Sequence, residues 1–445
     1  MEKPHVMVVP YPVQGHVIPL MELSLYLVQN GVKVTFVNTK ENHDRIKNSF
    51  PSGNDLLLLS EICTVWISDG LESIESVLNV MPKKVEELIE CIHGSESEKI
   101  TCVLADQSIG WALEMAEKKG IACAAFCPAS AAQLVLGLSI QKLIDDGVID
   151  KDGTPLEKQV IHLSPTMPCV STENLVWLNV GNKTTQKHIF QLMMKNINCM
   201  HLTKWLLSNS SHELEAAAFS LAPEIIPIGP IFSSNQYSIG NFLPQDQTCL
   251  KWLDQQSPNS VIYIAFGSFT TFSTIQFQEL CFGLERSNRP FLWVMRTDIT
   301  EPTENIYPKG FEERVSKRGR MVGWSPQKKI LSHSSVACFI SHCGWNSTLE
   351  SVGNGIPMLC WPYFADQFLN RSYVCDVWKV GMELEKDESG VIRQAEIVSK
   401  IEQVLNDEEL KGRAKELMEK VKTCIGEDGV SNNNLLSFIT WIKNI

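Results

Sequence analysis

Polar side chains able to bind an anion surround one predicted strand-to-helix turn, in the stretch VACFISHCGWNSTLESV. An apolar strand over 336–340 runs through small residues into a helix that begins near 345–347. The start of a helix favours anions, because its first backbone N–H groups lack partners and the macrodipole is positive there. Asn346 and Ser347 add side-chain donors, and His342 lies just before the turn. The stretch therefore predicts a diphosphate site.

Further polar and aromatic residues lie near other predicted strand ends of the same segment. Glu350 falls within about one turn of the helix start, where a carboxylate can accept both hydroxyls of a ribose. Trp324 ends the predicted strand RMVGW and offers a flat face to a base, and Gln327 follows one loop later. Asp366 and Gln367 follow the predicted strand PMLCWPYF. Since open α/β sheets bind ligands at this edge, the set predicts a nucleotide-sugar site.

Each of these residues also has a structural explanation. Trp324 suits an ordinary core position, and His342 suits a buried histidine with satisfied hydrogen bonds. Asp366 and Gln367 suit the cap of the helix that follows them. For any one residue alone the structural explanation is the better one. Their joint placement at the strand ends of one predicted sheet favours the binding site, because core residues need not lie there.

His16 and Asp106 form a second candidate pair in the N-terminal half. His16 lies in the loop YPVQGH after the predicted strand HVMVVP, and Asp106 ends the predicted strand ITCVLAD. A carboxylate bonded to one ring nitrogen would orient the other toward a substrate hydroxyl, which makes His16 a candidate general base. Taken alone, His16 equally suits a structural role and Asp106 suits a helix N-cap.

Length and charge restrict the class of protein. The chain has 445 residues, a formal net charge of −12 and an isoelectric point near 5.4. This length favours two domains. Nucleic acid or an anionic membrane requires a basic face, and the scattered Lys and Arg do not favour one, so neither is expected as a partner.

Cysteine usage and the N-terminus indicate a cytoplasmic protein without a zinc site. The 14 cysteines show no CxxC spacing and lie mostly in apolar stretches, which favours buried, reduced thiols. The start MEKPHVMVVPYP does not have the layout of a signal peptide. Pro128, Ser130 and Gln133 interrupt the apolar run 121–140, so we expect a strand over 121–126 and then a helix, with no membrane span.

Apolar runs alternate with amphipathic stretches along the chain, which predicts two doubly wound α/β domains. The predicted strands are HVMVVP, VKVTFVN, CTVWI, ITCVLA, IACAAF and KWLLSN, then VIYIAF, PFLWVM, MVGW, VACFIS and PMLC. Residues 231–247, rich in Ser, Asn and Gly without periodicity, predict a linker. We place an N-terminal domain at 1–235, a C-terminal domain at 236–429 and a helix at about 430–445.

The segment 324–367 resembles the signature box of plant family-1 UDP-glycosyltransferases, with its opening Trp, its HCGWNS core, its Glu and its closing Asp-Gln. The similarity extends from PYPVQGH to the helical tail, and ADQSIGWALE and IQKLIDDG are similar to the branch numbered 83. The resemblance implies a GT-B fold, two Rossmann-like domains facing across a cleft, with the C-terminal helix packed on the N-terminal domain. It also implies inverting transfer of a sugar from a UDP-sugar to a small lipophilic acceptor.

The resemblance also implies residue roles. His16 would be the catalytic base and Asp106 would balance its charge. The implied UDP-binding positions are Ser268, Trp324, Ser325, Gln327, His342, Gly344, Asn346, Ser347 and Glu350. The implied sugar-binding positions are Trp345, Asp366 and Gln367. A Gln at the end of the box usually accompanies glucose, so UDP-glucose is the expected donor, and no metal or other cofactor is expected.

The remaining expectations concern the acceptor and the rival functions. We expect a monomer whose irregular segment 149–186 lies on the acceptor side, with a phenolic, flavonoid or terpenoid acceptor. Some family members carry a sugar-contacting Thr where this chain has Pro128, so Ser130 or a backbone group would have to substitute. An NAD-type oxidoreductase is disfavoured because no GxGxxG follows a predicted first strand. A non-catalytic carrier is disfavoured by His16 and Asp106.

Overall fold

The computed structural model describes residues 3–46, 57–61, 71–94, 99–232, 245–296, 299 and 307–445. The chain divides into two compact units. Unit 1 comprises Met1–Phe242 and Thr423–Ile445, and unit 2 comprises Leu243–Lys422.

Unit 1 is built on a parallel sheet. Its described strands are β1 (His5–Val9), β2 (Lys33–Asn38), β3 (Leu57–Glu61), β4 (Cys102–Asp106), β5 (Ala122–Cys127), β6 (Val160–Ile161), β7 (Val170–Ser171), β8 (Leu206–Ser208) and β9 (Ile225–Pro227). The sheet has the order β3-β2-β1-β4-β5-β8-β9, and β6 pairs separately with β7. The strand order reverses between β1 and β4, which makes the unit doubly wound.

Unit 2 repeats this arrangement. Its described strands are β10 (Val261–Ala265), β11 (Phe291–Val294), β12 (Gly319–Val322), β13 (Val336–Ser341), β14 (Met358–Cys360) and β15 (Gly381–Glu383). They form a parallel sheet of order β12-β11-β10-β13-β14-β15, the Rossmann order, with its switch point between β10 and β13.

Helices connect the strands and cover the sheets. In chain order they are α1 (Gln14–Gln29), α2 (Lys40–Ile46), α3 (Leu71–Asn79), α4 (Met81–His93), α5 (Gly110–Lys118), α6 (Ala131–Leu138), α7 (Ile140–Asp145), α8 (Lys183–Asn198), α9 (His212–Leu221), α10 (Thr248–Leu253), α11 (Thr274–Ser287), α12 (Phe311–Val315), α13 (Gln327–Leu331), α14 (Trp345–Gly353), α15 (Gln367–Ser372), α16 (Gln394–Asn406), α17 (Glu408–Ile425) and α18 (Val430–Lys443). A π-helical turn, Tyr373–Val377, extends α15.

The cores follow from the apolar composition of the central strands. All five positions of β1 and of β10 are buried, as parallel strands covered by helices on both faces require. The C-terminal helix α18 belongs to the core of unit 1, where Leu435 and Phe438 are buried with Val8 and Leu104. Trp205 packs on Phe438 with ring centroids 5.4 Å apart.

The predicted α/β, doubly wound fold class is confirmed. The predicted strand CTVWI and the linker residues 233–244 lie outside the described residues. The short strands β3, β9 and β15 were not predicted. The apolar run 121–140 forms β5 and α6, and in the described part of the chain no helix has the length and apolar character to cross a membrane.

Candidate active site

The candidate residues of each unit lie at the switch point of its sheet. In unit 1, His16 lies in the first turn of α1, directly after β1, and Asp106 is the last residue of β4. In unit 2, Gly267 follows β10 and His342 follows β13. Open α/β sheets bind ligands at such points, because the helices that leave neighbouring strands diverge there.

His16 and Asp106 are joined by a short hydrogen bond. Nδ1 of His16 lies 2.7 Å from Oδ2 of Asp106, with Asp106 fully buried and 27% of the His16 side chain exposed. Since a carboxylate only accepts, Nδ1 carries a proton, and in the neutral imidazole the lone pair is then on Nε2. Oδ1 of Asp106 accepts the backbone N–H of Ser108 at 2.8 Å, whereas the N-cap of α5 is Ile109. The pair has the arrangement of a general base with its orienting partner.

Tyr11 completes this cluster. Its ring centroid lies 5.4 Å from that of His16, with the two planes tilted by 52°. Burial raises the pKa of Tyr11, and the charge of Asp106 raises it further, so the phenol stays protonated. Tyr11 therefore packs on the imidazole as a neutral group.

The ring of His342 packs closely against two glycines. A Cβ at either Gly267 or Gly344 would lie 2.5 Å from Nε2 of His342, and Gly267 also has a φ of +68°. Burial lowers the pKa of His342 to about 4; a contact with the Ala265 backbone acts against this and the charge of Arg296 adds to it. His342 is therefore neutral at pH 7, and it adds no charge to the site predicted for the phosphates.

Arg296 holds the loop that follows β10. It is buried, and it donates from Nη1 to the Gly267 carbonyl at 2.5 Å and from Nη2 to the Thr270 carbonyl at 3.1 Å. The loop contains Ser268, which is half-buried. The guanidinium thus fixes the backbone beside Ser268.

The start of α14 lies next to this loop. Its N-cap is Gly344, with φ −59° and ψ 143°, and no side chain caps it. Gly344 leaves room for the His342 ring, and Asn346 and Ser347 follow in the first turn. The positive end of the helix dipole therefore points toward the position predicted for the diphosphate.

Hydrogen bonds join four of the residues assigned to UDP. Nε2 of Gln327 donates to Oγ of Ser347 at 2.9 Å and to Oε2 of Glu350 at 2.8 Å. The hydroxyl of Tyr263 lies 3.1 Å from Oε1 of Gln327 and 3.0 Å from Oγ of Ser325. The Gln327 NH₂ group therefore donates both of its protons to neighbouring side chains.

Lys328 adds a charge to this group. Burial raises the pKa of Glu350, and Lys328 and the Gln327 hydrogen bond oppose that shift. Burial likewise lowers the pKa of Lys328, and Glu350 opposes it. The two groups are close enough that each favours the charged form of the other.

Residues 194–421 match the family model described as UDP-glucoronosyl and UDP-glucosyl transferase. UDP-glycosyltransferase 83A1 of Arabidopsis thaliana is 50% identical to this chain over 464 residues, which span 100% of this chain and 98% of that protein. The chain belongs to the plant family-1 UDP-glycosyltransferases.

Two solved structures resemble this glycosyltransferase over nearly all of both chains. UGT2 of Phytolacca americana, in complex with UDP-2-fluoro-glucose and pterostilbene, is 26% identical with a TM-score of 0.84 and covers 99% of each chain. A UDP-glucosyltransferase of Polygonum tinctorium capable of glucosylating indoxyl is also 26% identical, with a TM-score of 0.85, covering 100% of this chain and 99% of that one. The predicted GT-B fold and the resemblance to the branch numbered 83 are confirmed.

Within this glycosyltransferase, the two tryptophans assigned to the donor differ in exposure. Trp324 is half-buried two residues beyond β12, and its carbonyl accepts the backbone N–H of Asp246 at 2.9 Å. Trp345 is buried, with its ring centroid 6.3 Å from that of Trp378. A sugar would thus meet the backbone of Trp345 in the first turn of α14 rather than its indole.

The residues that close the box are held by local bonds. Oδ2 of Asp366 accepts from Nδ2 of Asn370 at 2.8 Å, and the same nitrogen donates to the Cys343 carbonyl at 2.9 Å. Oε1 of Gln367 accepts the backbone N–H groups of Tyr363 and Phe364 at 2.8 and 3.1 Å. The amide oxygen of Gln367 therefore anchors the loop, which leaves its NH₂ group for a sugar.

Ser130 has a structural role in this fold. It is fully buried, and its hydroxyl accepts the backbone N–H of Gln133 at 3.3 Å as the N-cap of α6. Glu215 accepts the next two backbone N–H groups, those of Ala131 and Ala132, at 2.7 and 2.9 Å. Ser130 is thus a poor substitute for the sugar-contacting Thr of some relatives.

Several residues around the site were missed in the sequence: Tyr11, Tyr263, Arg296, Lys328 and Asn370. The signal for Arg296 was a charged residue directly after the apolar run FLWVM. Among the described residues, no three His, Cys, Asp or Glu side chains come together as a metal would require. The absence of a cofactor stays a prediction.

Proposed function

We propose that this glycosyltransferase transfers glucose from UDP-glucose to a hydroxyl group of a small lipophilic plant metabolite, with inversion at the anomeric carbon. The hydrogen bond between His16 and Asp106 carries the proposal, because an unactivated hydroxyl needs a base. The relative that binds UDP-2-fluoro-glucose with pterostilbene supports a glucose donor and an acceptor of this kind.

In the proposed reaction, Nε2 of His16 accepts the acceptor hydroxyl proton while its oxygen attacks the anomeric carbon. The bond from that carbon to the UDP oxygen breaks, and attack opposite UDP inverts the configuration. Asp106 stabilises the imidazolium that forms, as the buried carboxylate bonded to Nδ1. General-base assistance of this kind typically contributes about 10²–10⁴-fold.

The donor is proposed to bind unit 2 at the switch point. Trp324 stacks on uracil and Glu350 accepts from the ribose hydroxyls. Ser268, Ser347 and the first turn of α14 take the phosphates, and the neutral His342 lies beside them. The position of these groups around β10 and β13 supports the assignment.

The departing diphosphate is proposed to need no metal. The α14 dipole, backbone N–H groups and the buried Arg296 beside the Ser268 loop provide positive potential there. Activity should therefore survive EDTA, and a complete loss restored only by magnesium or manganese would contradict this. We also expect the enzyme to act as a cytoplasmic monomer.

The test is a panel of phenolic, flavonoid and terpenoid aglycones incubated with UDP-glucose, with products identified by mass. We expect hexosides of at least one class, and NMR coupling constants of the product should report a β-glucoside from the α-configured donor. Release of UDP without a glycoside, or an α-glucoside, would contradict the proposal.

A further inference from the structure

Tyr263 lies at the centre of a chain of hydrogen bonds beneath the UDP-binding residues. Its ring is buried on β10 and stacks on Phe339 at 4.9 Å. Its hydroxyl lies 3.0 Å from Oγ of Ser325 and 3.1 Å from Oε1 of Gln327. The reaction proposed above makes no direct use of this hydroxyl.

The chemistry of the partners fixes the direction of the chain. Oε1 of Gln327 can only accept, so the single proton of Tyr263 is donated to it. The oxygen of Tyr263 must then accept from the hydroxyl of Ser325. The amide plane of Gln327 is thereby held with its NH₂ group on the opposite side.

That orientation determines what the next residues offer a ligand. Nε2 of Gln327 donates to Oγ of Ser347 and to Oε2 of Glu350. Because Oγ of Ser347 accepts this bond, its own proton can be donated to a phosphate oxygen. Because Oε2 of Glu350 is bonded, its other oxygen is left to accept from a ribose hydroxyl. A flipped Gln327 amide would turn an oxygen toward the carboxylate and lose both arrangements.

We propose that Tyr263 is a positioning residue that holds the Gln327 amide in the orientation required for UDP binding. It acts through Gln327 and does not touch the nucleotide. The inference rests on the proposed roles of Ser347 and Glu350 in UDP binding.

A double-mutant cycle tests this dependence. The Kd of UDP is measured by calorimetry for the wild type, Tyr263→Phe, Gln327→Ala and the double variant. Tyr263→Phe removes only the hydroxyl, so we expect UDP to bind about three- to tenfold more weakly. In the Gln327→Ala background the same change should have little further effect. Additive losses would overturn the proposal.

Discrimination at the ribose gives a second readout. The ratio of the Kd of 2′-deoxy-UDP to the Kd of UDP should fall toward one in Tyr263→Phe, because the other oxygen of Glu350 is no longer held in place. A general loosening of the fold would weaken both ligands equally, and that result would also count against the proposal.

Tyr307→Phe is the matched control. Tyr307 packs between Phe277 and Phe311 in unit 2, with ring centroids 5.6 Å from each. Removing the Tyr307 hydroxyl should change neither the Kd of UDP nor the ratio of the Kd values of 2′-deoxy-UDP and UDP. If Tyr263→Phe does not fold, Ser325→Ala removes the other end of the hydrogen-bond chain and should show the same dependence on Gln327.

A wild type that binds no UDP would refute the proposed function. Additive losses of UDP affinity in the double variant, with normal UDP binding by the wild type, would refute only this inference.

Discussion

The imidazole of His342 occupies the space that a side chain at Gly344 would need, since a Cβ there would lie 2.5 Å from Nε2. The same is true of Gly267, where a Cβ would also lie 2.5 Å from Nε2. His342 thus sets the spacing between the loop after β10 and the start of α14. Because these two segments carry Ser268 and Ser347, this spacing determines the width of the proposed phosphate site.

Gly344→Ala should therefore weaken UDP binding. Overpacking costs about 1–3 kcal/mol, so we expect a loss in UDP affinity of about tenfold or more, with a smaller change for uridine, which has no phosphates. Gly412→Ala is the control, because nothing lies within 4 Å of a Cβ at that position in α17. Equal losses for UDP and uridine would show that the ring does not shape the phosphate site.

Asp106→Ala should lower turnover less than loss of His16 itself, since the base remains but is no longer oriented. The kcat of Asp106→Asn should be no higher than that of Asp106→Ala. An Asn oxygen would accept from the Ser108 N–H, so its NH₂ group would face Nδ1 of His16 and favour the tautomer protonated at Nε2. Steady-state kcat for both variants tests this, and an Asn variant clearly more active than Ala would contradict it.

The stability of the enzyme should fall on acidification through His342. Its folded pKa of about 4 lies below the ordinary 6.5, so the unfolded chain takes up the proton first. The contribution of His342 to the free energy of unfolding is complete above pH 6.5. It is lost as pH falls toward 4, which lowers the free energy of unfolding by up to about 3 kcal/mol. Urea unfolding of the wild type and His342→Gln between pH 4 and 7 should show curves that converge at low pH. Parallel curves would exclude this origin.

Gln367 should select the donor through its NH₂ group. Gln367→Glu keeps an oxygen for the Tyr363 and Phe364 N–H groups and replaces the sugar-facing NH₂ donors with a negatively charged oxygen that only accepts. An unpaired buried group costs about 1–3 kcal/mol, so kcat/KM for UDP-glucose should fall roughly ten- to a hundredfold while Tm is kept. Gln367→Ala should lower both kcat/KM for UDP-glucose and Tm. The measurement compares UDP-glucose, UDP-galactose, UDP-xylose and UDP-glucuronate, and equal efficiencies in the wild type would refute the glucose assignment.

The sequence predicted the central strands of both sheets and the residues at their ends, because apolar runs and motifs are local patterns. It did not predict β3, β9 and β15, which are edge strands of three to five residues. β9 (IIP) and β15 (GME) lack the continuous apolar run that marked the central strands, whereas the apolar run of β3 (LLLSE) was overlooked.

Supporting contacts were also beyond the sequence. The bond from Tyr263 to Gln327 joins positions 64 residues apart, and that from Arg296 to Gly267 joins positions 29 apart. The double role of Gln367 depends on the backbone path at Tyr363 and Phe364. Such pairings are set by the tertiary fold, which residue types and spacing do not specify.

Turnover by His16→Ala, measured beside its Kd for UDP, tests the account most directly. Removal of the base should lower kcat on an unactivated alcohol by about 10²–10⁴-fold, whereas UDP affinity should stay within a few-fold of the wild type, because His16 lies in unit 1 and the nucleotide residues lie in unit 2. Near-full turnover with an unchanged Kd would contradict the assignment of His16 as the base.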